Sequence, residues 1–256
     1  MHPITTETEP AHIPGRLSLR DAARRLVGMI RSPRATLLRA VDRPRSLDLA
    51  MLIVVVAATF SVGFLLTRVG RLAALDQAVR QLESLGATIT DRRYAELRHL
   101  QVYRPLISAV TIIVGWPMMW MFAAFIFRAI GDRFHARVPG AGERRVTFAQ
   151  SLTVVVHASS VLAVRAVVAA PVNYARESLG GSTSLGVLLP VFGETTFAAR
   201  LFGAVDLFLV WWVVLIAMGL SILYRTRTLP IARWLLGAYA AGAAALALTQ
   251  ALRGGV

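Results

Sequence analysis

The chain has no cysteine and no lysine, and all 28 of its basic residues are arginine. Without cysteine, disulfides, thiolate nucleophiles, cysteine-ligated zinc and iron–sulfur clusters are excluded. Negative charge is scarce as well, with 14 Asp and Glu against 28 arginines and a formal net charge of +14. In a soluble protein such an excess points to nucleic acid. Here the arginines gather at the ends of apolar runs, where cationic side chains anchor membrane spans, so nucleic acid is not an expected partner. The histidines, at positions 2, 12, 99, 135 and 157, lack metal-ligand spacing, and no metal or cofactor is expected. Paired carboxylates, a GxSxG turn and a Walker loop are missing too. GAGERR, starting at Gly140, is only a fragment of a dinucleotide fingerprint and follows no strand. These absences leave an enzyme reading without support.

Apolar sequence is what the chain has in abundance. It is 56% hydrophobic with a mean hydropathy of +0.60, which marks an integral membrane protein rather than a soluble domain. The opening MHPITTETEP lacks the basic patch, short apolar core and cleavage site of a removable signal, so the first span is expected to be an uncleaved anchor. Five runs approach the roughly 20 residues that cross a bilayer, at 47–67, 105–127, 148–170, 201–224 and 231–250. The expected fold is therefore an all-α bundle: a five-span domain over residues 47–250, preceded by a basic segment over 1–46.

Arginine counts orient the bundle. The amino-terminal segment carries nine, the loop 128–147 five and the turn 225–230 two, against seven in 68–104, two in 171–200 and one in the tail. Sixteen against ten places the amino terminus in the cytoplasm and the carboxyl terminus outside. Ahead of the first span, LRDAARRLVGMI sets Leu19, Ala23, Leu26 and Ile30 on one helical face and Arg20, Arg24 and Arg31 on another. Such a helix suits an anionic inner leaflet or a place packed under the bundle, and the pattern leaves both open. In the next stretch, Ser32 is positioned to cap a helix that Pro33 begins and that ends before Pro44. The segment 68–104 reads as a helical hairpin on the outer surface, with Leu72, Leu75, Val79 and Leu82 at helical spacing and a break at GATIT.

Polar residues inside the spans are the candidate sites. Arg165 and Asp206 each fall about five residues, some 7 Å, below the outer surface. At a common depth they are expected to pair between the third and fourth helices, because an isolated charge in lipid is costly. The pair serves either as a clamp on helix register or, with His157 on the same side of the third helix, as part of a proton relay. Trp211 and Trp212 lie mid-span, where core packing explains them better than an interfacial belt. Pro117 is expected to kink the second span. Gly237, Ala241 and Ala245 repeat every four residues in the last span, so that another helix can approach closely within the bundle or in a dimer.

The segments IRSPRATLLRAVDRPRSLDLAMLIVVV, RRVTFAQSLTVVVHASSVL and VDLFLVWWVVLIAMGL, together with Asp206, Phe208, Trp211 and Gly219, resemble the bacterial branch of the Ypt-interacting (Yip) domain family. The likeness runs from about Leu26 to Gln250. It implies five transmembrane helices and a cytoplasmic amino terminus, and a place in the cytoplasmic membrane of a bacterium. Eukaryotic members act in membrane traffic and contact prenylated GTPases. This chain has DRPRSLDL where those members carry Asp-Leu-Tyr-Gly-Pro, so that role does not transfer. The expected function is a non-enzymatic membrane adaptor or organiser, lying in the lipid bilayer and working through a membrane or cytoplasmic protein partner or a homo-oligomer. The alternative is a small transporter, channel or permease subunit using His157, Arg165 and Asp206.

Overall fold

Polar residues end the first described helix and start the second. The computed structural model describes residues 18–84, 86–135, 146–188 and 202–253. His2, His12, the GAGERR segment and the Leu201 start of the expected fourth span lie outside them. Helix α1 (Leu19–Arg31) starts where Ser18 Oγ accepts the Asp21 N–H. Helix α2 (Pro33–Asp42) opens with proline in the first turn. Ser32 stands between the two, yet its side chain makes no capping bond. Its N–H closes α1 on the Gly28 carbonyl, and its own carbonyl accepts from the Thr36 N–H and hydroxyl.

Helix α3 (Leu47–Leu66) buries Leu49, Ile53 and Ala57, one residue per turn, and exposes Met51 and Val55 on other faces. Thr67 stops it in an extended conformation. The Thr67 hydroxyl accepts the Gly70 N–H and so begins α4 (Arg68–Ser84). After Gly86, in the left-handed region at φ +83, Thr90 caps α5 (Asp91–Leu100). These two helices are the hairpin expected from 68–104, but α5 does not end in a loop. A 3₁₀ turn, Gln101–Tyr103, leads into α6 (Arg104–Val110), then a π-turn, Thr111–Gly115, and then α7 (Trp116–His135). The helical run from Asp91 to Gly131 is 41 residues long, about 60 Å at the α-helical rise and twice a bilayer core. The hairpin's second arm therefore continues the second span.

The third apolar run is split at Ser159 into α8 (Phe148–Ala158) and α9 (Ser160–Ala175). Thr147 and Gln150 form a capping box at its start. From Thr153 to Ala163 every residue is buried, which makes this helix the axis of the bundle. A short helix, α10 (Leu185–Leu188), precedes α11 (Leu207–Leu223), and α12 (Thr228–Arg253) closes the chain. The expected span at 201–224 is thus interrupted: residues 202–204 form a separate helical turn, the chain is non-helical at Val205 and extended at Asp206, and the long helix starts at Leu207 with Asp206 as its cap rather than an interior residue. Helix α11 ends in a Schellman turn in which the Thr226 N–H reaches the Ser221 carbonyl and Arg225 sits at φ +51.

Among the described residues four helical stretches are long and apolar enough to cross a membrane, namely Leu47–Leu66, Asp91–Gly131, Phe148–Ala175 and Thr228–Thr249. Helix α11, with 17 residues, is apolar but shorter. Helix α3 packs against α1, α6 and α9, α8 against α7 and α11, and α11 against α12. The amino-terminal pair is docked onto this bundle: Ala22, Met29 and Leu37 are buried, with α1 against α3, α8 and α9. Leu19, Val27 and Ile30 stay exposed on the adjacent flank of α1. One helix therefore meets the bundle on one side and keeps an apolar strip free on the other. Trp234, 82% exposed near the start of α12, has the placement of an interfacial anchor.

Helix α11 comes close to α8 at Gly219, where an added Cβ would run into Val154. Val154 is β-branched and stiff, so the backbones would have to part. Gly219→Ala is expected to destabilise the bundle by about 1–3 kcal/mol. Adding Val154→Ala should recover much of the loss in a detergent thermal-melting assay. A single variant that melts with the parent would show that the two helices are not held at this distance.

Candidate functional site

Asp206 is bonded from four directions. Its Oδ1 accepts the N–H groups of Phe208 at 2.9 Å and Leu209 at 3.3 Å, capping α11. Its Oδ2 accepts from Arg165 Nε at 2.8 Å and from the Thr183 hydroxyl at 2.6 Å. The backbone N–H of Asp206 donates to the Tyr239 hydroxyl of α12 at 2.9 Å. Antiparallel bridging to Ser184 completes the arrangement, with the Leu207 N–H on the Thr183 carbonyl and the Leu185 N–H on the Val205 carbonyl. One residue thus joins α9, the segment before α10, α11 and α12. The Asp206 side chain is 13% exposed and that of Arg165 is 43% exposed, so the pair lies at the edge of the bundle.

The two charges sit at unequal distances from their helix ends. Asp206 starts α11, whereas Arg165 precedes the end of α9 by ten residues, about 15 Å. The chain compensates by folding the 178–185 segment back alongside Asp206, which is how Thr183 reaches the carboxylate. Non-helical backbone at such a level is tolerable because its polar groups are paired within the protein.

His157 does not join this group. It is fully buried, and its Nδ1 lies 2.8 Å from the Thr153 carbonyl, which makes Nδ1 the protonated nitrogen. Its Nε2 has no hydrogen-bond partner among the described residues, nor do the hydroxyls of Ser151, Thr153 and Ser160. The charges that act on His157 are Arg25 and Asp48. These two form a second ion pair that the sequence reading missed, between α1 and the first turn of α3. Arg25 also donates from Nη1 to the Arg45 carbonyl at 2.7 Å. The signal was there: Arg25 falls between Ala22 and Met29 on the side of α1 that becomes buried.

Trp211 packs partly buried against the core, with its ring centroid 6.4 Å from that of Phe208. Trp212 has the more specific contact, donating from Nε1 to Ser159 Oγ at 3.1 Å, while Ser159 donates to the Val155 carbonyl. The break between α8 and α9 is thereby tied to α11. Pro117 follows directly on the π-turn, so the disturbance of the second span takes the form of a wider turn upstream of the proline. Gly237, Ala241 and Ala245 are exposed on α12, and an added Cβ at Gly237 would meet nothing within 4 Å. This face is not used inside the bundle.

Charge and capping at Asp206 can be separated experimentally. Asp206→Asn keeps an acceptor for the Phe208 and Leu209 amides, whereas Asp206→Ala loses it and should be less stable by a further ~1 kcal/mol. Arg165→Leu strands the carboxylate, so combining it with Asp206→Asn is expected to restore folded yield relative to Arg165→Leu alone. Folded yield by size-exclusion in mild detergent reads both comparisons. Additive losses in the double variant would refute the coupling.

No curated protein and no solved structure matches this chain significantly. A family model described as the Yip1 domain matches residues 27–249, nearly the whole length of the described bundle, and the protein belongs to the Yip1 domain family.

Proposed function

We propose that this Yip1-domain protein is a non-enzymatic adaptor or organiser in the cytoplasmic membrane of a bacterium, with five spans, a cytoplasmic amino terminus and an external carboxyl terminus. The observation that carries this reading is where the polar groups are spent. Asp206, Arg165, Thr183, Tyr239, Ser159 and Trp212 bond to one another or to backbone and hold helices together. Surfaces suited to partners remain outside the bundle: the free apolar flank and arginines of α1, and the small-residue face of α12. The fourth span in this reading is α11, whose 17 residues lie at the short end of what crosses a bilayer. A transporter would need His157, Arg165 and Asp206 to share one path. His157 instead bonds to its own helix and has no hydrogen bond to Arg165 or Asp206 among the described residues, so that reading finds no support here.

Crosslinking in native membranes, followed by purification in native lipid and mass spectrometry, tests the adaptor role. A stoichiometric protein partner is the expected result. Recovery of the chain alone, or only with copies of itself, would defeat the proposal. Orientation is readable independently, because the native chain has no cysteine and a single introduced one reports cleanly. A cysteine at Thr226 should react with an impermeant reagent only after the membrane is opened, and one at Gly86 should react in intact cells. The reverse pattern would invert the topology.

A further inference from the structure

At the amino-terminal end of the bundle, a cavity of about 470 Å³ opens between α2, the start of α8 and the turn joining α11 to α12. That volume is in the range of small-ligand sites. Arg34 enters from α2 and Arg225 from the turn, and neither guanidinium makes a hydrogen bond or ion pair among the described residues. Among the described residues of the lining Asp42 is the one carboxylate, so with Arg34 and Arg225 they carry a net positive charge. Leu38 and Ile222 supply an apolar wall beside the two cations.

Arg225 is the informative residue. It occupies the left-handed position of a Schellman turn, where glycine is the favoured occupant and a side chain costs about 1 kcal/mol. Its guanidinium repays none of that through a contact within the described protein. A strained, unpaired cation at the mouth of a cavity is the arrangement expected when the missing partner is an anion from outside. Trp234, exposed on the neighbouring helix, is of the residue type enriched at membrane interfaces, where phosphate groups of lipids are abundant.

We propose that Arg34 and Arg225 bind the phosphate of a phosphate-bearing ligand in this cavity, with Leu38 and Ile222 receiving the first carbons of its apolar part. The inference is independent of the adaptor role. A phospholipid headgroup and a soluble phosphate ester share the recognised chemistry, and the experiment separates them.

The full-length protein in maltoside detergent is titrated with short-chain phosphatidylglycerol, the matching diacylglycerol, glycerol 3-phosphate and inorganic phosphate, reading thermal stabilisation. Saturable stabilisation by phosphatidylglycerol but not diacylglycerol is expected, identifying a lipid headgroup. Stabilisation by glycerol 3-phosphate or inorganic phosphate without added benefit from the lipid identifies a soluble source. In either case Arg34→Gln should weaken binding roughly tenfold or more. Arg225→Gly carries the decisive comparison: it suits the left-handed turn and should melt no lower than the parent, yet lose the ligand to a similar extent. Diacylglycerol matching phosphatidylglycerol, no probe stabilising the parent, or Arg225→Gly binding as the parent does would each overturn the proposal.

Discussion

A carboxylate in an apolar bundle must be surrounded by donors or it will not stay charged, and that constraint organises one end of this protein. Asp206 has two oxygens and meets four donors with them, two from its own helix and one each from Arg165 and Thr183. Because the donors come from α9, the segment before α10 and α11, satisfying the charge also fixes the relative position of those elements. Tyr239 adds α12 through the backbone of the same residue. The start of α11, the return of the connecting segment and the seating of the last helix thus depend on one side chain. The Arg25–Asp48 pair performs the equivalent task at the other end, holding α1 on α3.

The axis of the bundle presents a different balance. From Thr153 to Ala163 the third apolar run is buried on all sides, and α8 and α9 still carry hydroxyls and an imidazole with unpaired atoms. Serine and threonine in membrane helices relieve such groups by bonding back to their own backbone, as Ser159 does with Val155. That back-bond coincides with the break between α8 and α9, and the Trp212 indole turns the break into a contact with α11. A local irregularity in one helix therefore specifies the register of its neighbour.

The all-helical architecture was legible because apolar runs of bilayer length have few other ways to fold, and the family likeness rested on motifs within those runs. The depth count brought Arg165 and Asp206 to one level, and the two side chains are in contact. The reason it offered was incomplete, since Asp206 begins its helix instead of lying inside it. Thr183 and Tyr239 were out of reach because their roles depend on how an aperiodic segment folds back. How the hairpin's second arm joins the second span was not legible: the polar sequence of α5 hides a continuity that only the backbone reveals. The Arg25–Asp48 pair escaped notice because a basic helix invites the assumption that every arginine faces water or lipid headgroups, and one of them does not.

The run from Asp91 to Gly131 has a mechanical corollary. A helix about twice the thickness of the hydrocarbon core behaves as a lever whose fulcrum is the membrane. At one end it carries the α4–α5 hairpin, packed on α3 and α9. At the other, Gly131 receives the ring of Tyr224, whose hydroxyl bonds the Phe127 carbonyl, one residue before Arg225. A displacement of the hairpin would be passed along this continuous run toward the turn that bears Arg225. The 3₁₀ turn at Gln101–Tyr103 and the π-turn at Thr111–Gly115 are the irregularities along the shaft where such a displacement would be absorbed.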